Sequence, residues 1–269
     1  MAMNIRAAGK SHVGLRRKVN EDSLLVDPEL GLYVIADGMG GHKAGDVASR
    51  MVVETMADYW RKVKENKSPS FLEPIDKNLS DRAKHLVNSI SLTNIIIHEA
   101  QKKPEYHRMG STITALLVDD TCVWSANVGD SRTYLFDHGR LIQVSQDHSL
   151  EAEQRAMGLT QPLGSPHHHR MKNMLTRVMG QHKKVDVYIA PIRPDTGDLL
   201  MICSDGLTNY MSERAINTVL DDFSTSLERK IDILIDEANR GGGGDNISVI
   251  LLKVLEEGKW SKLKRKLKR

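Results

Sequence analysis

Four aspartates stand where an apolar run meets a turn containing glycine or asparagine. Asp37 ends Val34-Ile35-Ala36 and precedes Gly38, Asp130 follows Asn127-Val128-Gly129, Asp205 closes the run from Leu199 to Ser204 and precedes Gly206, and Asp245 follows four glycines. Glu21 and Asp22 add an adjacent acidic pair. A carboxylate at the edge of a β core is costly unless it is paired, hydrogen-bonded or bound to a cation. One such aspartate is explained by a helix cap or a closed turn; four in the same context, with the Glu-Asp pair, form a pattern. Hard cations such as Mg²⁺ and Mn²⁺ take oxygen ligands from several chain segments, and a neighbouring glycine lets a backbone carbonyl or water approach. Two such ions about 3.5–4 Å apart polarise a phosphoryl oxygen and activate a water. The residues thus point to metal-assisted hydrolysis, with phosphate as a suitable substrate group.

These acids need strands that end together. The run from Leu32 to Ala36 reads as a strand, and after Gly45 the residues Val47, Met51, Val52, Met56, Tyr59 and Val63 share one face of a helix reaching about Lys64. Lys64 to Ser80 is polar, contains Pro69 and Pro74, and reads as a loop. A second helical pattern runs through Ala83, Leu86, Ile90, Ile97 and Ala100. Three short β-rich runs follow, Ile113 to Val118, Cys122 to Val128 and Arg132 to Phe136, with turn residues between them. Further strands are expected at Val185 to Ile189, Leu199 to Cys203 and about Asn246 to Leu255, and helices over about 212 to 240. Residues 150 to 184 are the least regular. The expected class is α+β: antiparallel sheets flanked by pairs of helices.

Charge excludes some functions. The 269 residues carry a formal +3, but Lys259 to Arg269 hold seven basic residues and no acid, leaving residues 1 to 258 with 31 basic against 35 acidic, net −4. A nucleic-acid-binding domain draws affinity from a basic folded surface, which this body lacks. No apolar run is long enough to span a bilayer, and Met1 to Lys18 alternate basic and small residues without the apolar centre of a secretory signal. The chain reads as cytoplasmic. Cys122 and Cys203 lie in apolar runs and read as buried small hydrophobes rather than a disulfide or metal pair.

The ordered segments Arg17-Lys18-Val19-Asn20-Glu21-Asp22, Asp37-Gly38-Met39-Gly40-Gly41-His42, Met109-Gly110-Ser111-Thr112, Gly129-Asp130-Ser131-Arg132, Asp147-His148-Ser149, Leu175-Thr176-Arg177, Ser204-Asp205-Gly206-Leu207 and Gly243-Gly244-Asp245-Asn246 resemble the bacterial form of the metal-dependent type 2C protein phosphatases. The resemblance covers about residues 8 to 253. It implies a four-layer αββα fold, a β-sandwich of two antiparallel sheets flanked by pairs of α-helices, with a two-metal centre of Mn²⁺ or Mg²⁺ at one end. By the family's pattern Asp37 bridges both ions, the Gly38 carbonyl binds one, Asp205 and Asp245 complete the other, and Glu21 and Asp22 act largely through waters. Asp130 and Asp205 match positions that hold a third, weaker ion. Arg17 stands where a guanidinium grips the substrate phosphate, a role suited to its planar fork. The implied reaction is direct attack of a metal-bridging water on phosphoserine or phosphothreonine, opposing a bacterial Ser/Thr kinase, in a single catalytic domain over residues 1–258 that acts as a monomer.

Two positions depart from the family's commoner pattern. Met39 replaces a histidine that is a candidate general acid in eukaryotic members, so the role passes to His42 or to water; a structural hydrogen bond at the helix start is the other reading of His42. Ser111 replaces a threonine. His167-His168-His169 reads as part of a surface flap, with Met171, Met174 and Met179 packing beneath it. Trp260, Leu263 and Leu267 lie at helical spacing in the basic tail 259–269, compatible with an anionic membrane surface or an acidic partner, although so short a segment reads first as solvated. The rival functions are a phosphoprotein-binding pseudophosphatase and a phosphatase of small metabolites.

Overall fold

The structure is a computed structural model that describes residues 3–40, 44–120, 122–159, 171 and 174–256. Its centre is a pair of antiparallel sheets. The first has the order β1 (Ile5–His12), β11 (Ile247–Val254), β10 (Leu199–Cys203), β7 (Arg132–Asp137), β8 (Arg140–Gln143). The second has the order β2 (Asp22–Asp27), β3 (Leu32–Met39), β5 (Ile113–Val118), β6 (Val123–Val128), β9 (Tyr188–Ile192), with the short β4 (Gly110–Ser111) paired to the end of β3.

The period-two alternation of a strand explains why the central strands are apolar throughout. In β10, Leu200 and Ile202 meet Tyr33, Ile35 and Leu116 between the sheets. Leu199, Met201 and Cys203 face outward, onto α5 (Glu213–Leu220) and α6 (Leu227–Arg240). In β3 the outward residues Leu32, Val34 and Ala36 are covered by α1 (Ala44–Lys64) and α2 (Asp81–Ala100). Both faces of each sheet are therefore buried, in the expected four-layer αββα order. Cys122 and Cys203 are buried, as read from the sequence.

Helix ends carry ordinary caps. Ser80, Ser212 and Ser226 accept from the backbone N–H of Ala83, Ala215 and Arg229. Lys230, 3% exposed, donates to the carbonyls of Val219, Leu220 and Asp222 and so closes the C-terminal end of α5.

Some local expectations are corrected. The expected strand at Val185 to Ile189 runs instead over Tyr188–Ile192, because Tyr188 is the first residue with a ladder partner, Asn127; Val185 and Val187 pack against the helix-side core without pairing. The N-terminal stretch without an apolar centre is the strand β1, ordered by its full register with β11. A short helix, α3 (Leu150–Ala156), capped by Ser149, lies in the segment read as irregular. Met171 and Met179 are buried, but Met174 is half exposed: its carbonyl accepts from the Leu150 N–H while its side chain turns outward. The histidine run 167–169, His42 and the tail 259–269 lie outside the described residues.

Candidate metal centre

Every aspartate singled out in the sequence arrives at the same end of the sandwich. Asp37 stands within β3, which runs on through Gly38 and Met39 by pairing with β4 instead of turning at the glycine, and it lies opposite Asp22 in the β2–β3 register, so two carboxylates face each other across one strand pair. Asp130 occupies the turn by which β6, in one sheet, passes to β7, in the other. Cys203 of β10 pairs with Val249 of β11, which brings Asp205, at the start of the short helix α4 (Asp205–Thr208), beside Asp245, just before β11. A cleft of about 860 Å³ opens here, lined by Glu21, Asp37, Asp130, Asp205 and Asp245 together with Arg17.

Close backbone approaches set this geometry. Gly38 donates its N–H to the Glu21 carbonyl at 3.1 Å. A Cβ on Gly45 would come within 2.4 Å of Glu21 Oε1 and 2.8 Å of the Gly38 carbonyl oxygen. The two oxygens thus converge beside the first turn of α1, and only a residue without a side chain leaves that space open. Gly206 does the same across the cleft, since a Cβ there would lie 1.9 Å from the Asn246 carbonyl oxygen.

A set of uncharged residues aims the acids. Asn246, 4% exposed, accepts from Glu21 N–H at 2.8 Å and donates to the Val13 and Val19 carbonyls, tying the loop of Arg17 and Glu21 to the start of β11. Ser204 and Ser248 donate to Asp22 Oδ2 at 2.8 and 2.7 Å, and Asn209 donates to Asp205 Oδ2 at 2.8 Å. Thr112 Oγ1 accepts from Asp37 N–H at 3.1 Å and pairs with Ser131 Oγ at 2.8 Å. Ser111, the residue in place of the commoner threonine, still donates to the Asp37 carbonyl. Asn246, Ser204, Ser111, Thr112 and Ser131 lie inside the quoted motifs, Ser248 and Asn209 outside them, and spacing signals none of these roles: bonds such as Glu21 to Asn246 join positions more than two hundred residues apart.

Behind Asp130, Arg132 grips Asp147 with two nitrogens at 2.7–3.1 Å, and Gln143 donates to the same carboxylate at 2.7 Å. His148 accepts from Gly129 N–H through Nδ1 at 3.1 Å, and burial, then the charge of Arg177, lowers its pKa to about 4. It is therefore neutral and braces the turn that carries Asp130.

Among the described residues no three Asp, Glu, His or Cys side chains close on a common point as a finished cage. The acids share an electrostatic cost. Burial raises Asp37 well above the usual carboxylate range, and the charges of Asp22, Asp205, Asp130 and Asp245 push the same way. Burial likewise raises Asp22 to about 7 and Asp130 to about 8, in both cases with Asp205 adding to the shift. Asp22 Oδ1 is buried without a hydrogen-bond partner. Oxygen donors that cannot all ionise near neutral pH without added positive charge fit hard divalent cations. Arg17, about half exposed, supplies part of that charge, 2.9 Å from Asp245 Oδ2 and 3.9 Å from Glu21 Oε2.

Residues 8–238 match the family model described as protein phosphatase 2C. The chain belongs to the protein phosphatase 2C family. Among its relatives in this family is the serine/threonine phosphatase stp of Listeria welshimeri, 38% identical, with 82% of this chain and 83% of that protein covered. The Streptococcus agalactiae serine/threonine phosphatase superposes with a TM-score of 0.80 at 32% identity, covering 93% of this chain and all of the other. The catalytic domain of PstP, a serine threonine protein phosphatase solved in complex with two manganese ions, superposes with a TM-score of 0.75 at 30% identity over 94% of this chain and 99% of that one. The protein phosphatase 2C sandwich seen in these structures is the one built above from strand register and burial. Among the described residues no helix is long and apolar enough to cross a membrane.

Proposed function

We propose that residues 1–258 form one catalytic domain that hydrolyses phosphoserine and phosphothreonine in proteins, using Mn²⁺ or Mg²⁺ held by Asp37, the Gly38 carbonyl, Asp205 and Asp245. The observation that carries this reading is the gathering of mutually repelling acids, with raised carboxyl pKa values, in one cleft that also holds Arg17. Glu21 and Asp22 complete the oxygen environment, and Asp130 with Asp205 offers a third, weaker position. Two divalent cations bound there supply Lewis-acid charge to the phosphoryl oxygens and activate the attacking water.

The chain's own residues do the rest. Thr112 and Ser131 hold the end of β3 so that Asp37 presents its carboxylate to the cleft. Arg17 leaves Asp245 to grip the non-bridging oxygens of the transferred phosphoryl group, which suits the loose transition state of phosphoryl transfer, where positioning and charge neutralisation dominate. His42 is the proposed proton donor to the departing serine or threonine oxygen. The retention of Asp37, Asp205 and Asp245 favours catalysis over a binding-only role. We place the protein in the cytoplasm as a monomer opposing a Ser/Thr kinase on shared phosphoprotein targets, with residues 259–269 as a separable basic tail.

Arg17→Ala is expected to raise KM for a phosphothreonine peptide by roughly 10- to 100-fold, the equivalent of one charge-assisted contact of about 1.5–3 kcal/mol. Steady-state kinetics check this. Arg17→Lys should recover only part of the loss, because an ammonium lacks the bidentate fork; an unchanged KM in Arg17→Ala would refute the assignment.

A further inference from the structure

Arg108 lines the cleft but belongs to none of the networks described above. It lies just before β4, whose Gly110 pairs with Met39 at the end of β3, whereas Arg17 pairs with Asp245 just before β11. Its side chain is exposed and makes no hydrogen bond or ion pair among the described residues, whereas Arg17 is engaged by Asp245. Its neighbour on that wall, Gln101, spends its amide on the Gly180 carbonyl at 2.6 Å. The backbone at Arg108 is left-handed, φ +61°, a conformation costly for a side chain of this size. It is held by Met109 N–H donating to Tyr106 and by close packing on Gly40. The result is a guanidinium without a partner among the described residues, projecting from a constrained turn at the rim of an acidic cleft.

We propose that Arg108 selects substrates by receiving an anionic side chain, acidic or phosphorylated, that flanks the phosphoresidue being hydrolysed. The inference rests on the protein phosphatase reading above. With the reacting phosphate between the acids and Arg17, a peptide continuing across the cleft toward β4 brings a flanking side chain to Arg108. There a carboxylate or second phosphate meets the one cationic group on that wall among the described residues, instead of a field of carboxylates. A guanidinium suits both anions, since its planar fork matches carboxylate and phosphate oxygens.

The test is kcat/KM for a matched set of phosphothreonine peptides: alanine flanks, glutamate two or three residues to either side, and a second phosphothreonine at the same places. The wild type is expected to favour an anionic flank by about two- to fivefold, the upper part of the range for an exposed ion pair, and to lose much of that preference in about 1 M salt. Arg108→Gln should bring the ratio close to one. Arg108→Gly should do the same while relieving the left-handed strain, which separates charge from backbone effects. A preference confined to glutamate or to the second phosphate supports the proposal and identifies the anion. Equal turnover of all peptides by the wild type, or a preference that persists in both variants, overturns it and leaves the phosphatase reading standing. No turnover of any peptide in the presence of Mn²⁺ overturns both.

Discussion

Asp37→Asn is expected to lower kcat for a phosphothreonine peptide by about three orders of magnitude, on the order of 4 kcal/mol of lost stabilisation. The substitution changes one oxygen to nitrogen and leaves untouched the backbone bonds of Asp37 to Thr112 and the register with Asp22. Folding should therefore survive, and what is lost is the negative charge at the floor of the cleft. A second readout separates this from a packing defect. Burial and four neighbouring carboxylates push Asp37 well above its ordinary pKa, so its ionised form burdens the metal-free protein. Asp37→Asn should consequently melt no lower than the wild type after chelation, and should lose most of the thermal stabilisation that Mn²⁺ gives the wild type. Wild-type activity in this variant would remove Asp37 from the centre of the chemistry.

Arg132→Ala is expected to lower stability by about 3–5 kcal/mol, or roughly 10 °C in melting temperature, through a different cause. The side chains of Arg132 and Asp147 are only 18% and 12% exposed, and Arg132 holds the carboxylate with two nitrogens while its third reaches Tyr134 Oη at 3.0 Å. Truncation leaves Asp147 charged, largely buried and reduced to its bond from Gln143. Because Arg132 starts β7 two residues after Asp130, the loosened turn should also weaken the Asp130 position. The paired replacement Arg132→Met with Asp147→Leu should recover much of the stability, since it removes both charges instead of stranding one. Thermal melts of the three proteins check this, and a shift under about 2 °C in Arg132→Ala would show that the pair contributes little.

The acids were legible from the sequence because each motif is local. An apolar run that stops at Asp-Gly, as at Asp37 and Asp205, announces a carboxylate near a sheet end, although β3 itself continues to Met39, and the central strands β3 and β10 announce themselves because burial on both faces makes their apolar runs uninterrupted. The edge strands were not legible in the same way. β1 alternates small and charged residues, and its order comes from eight ladder partners on β11 that no local pattern reveals. Tyr188–Ile192 was misplaced by three residues because apolar character continues upstream while ladder partners do not. The positioning residues were hidden for a related reason: Asn246, Ser204 and Ser248 look like ordinary polar residues until the fold brings Glu21 and Asp22 to them from the other end of the chain. Arg108 was passed over because a single arginine before a short strand carries no pattern at all.

The clustered acids of this protein phosphatase 2C chain are proposed to serve divalent cations in phosphate hydrolysis. The most direct measurement is turnover of a phosphothreonine peptide by protein stripped with a chelator, freed of the chelator and then titrated with Mn²⁺ or Mg²⁺. Negligible turnover by the stripped protein is expected, with a saturable return of activity as either ion is added. Turnover undiminished by exhaustive stripping, or never restored by either ion in a folded protein, would contradict it.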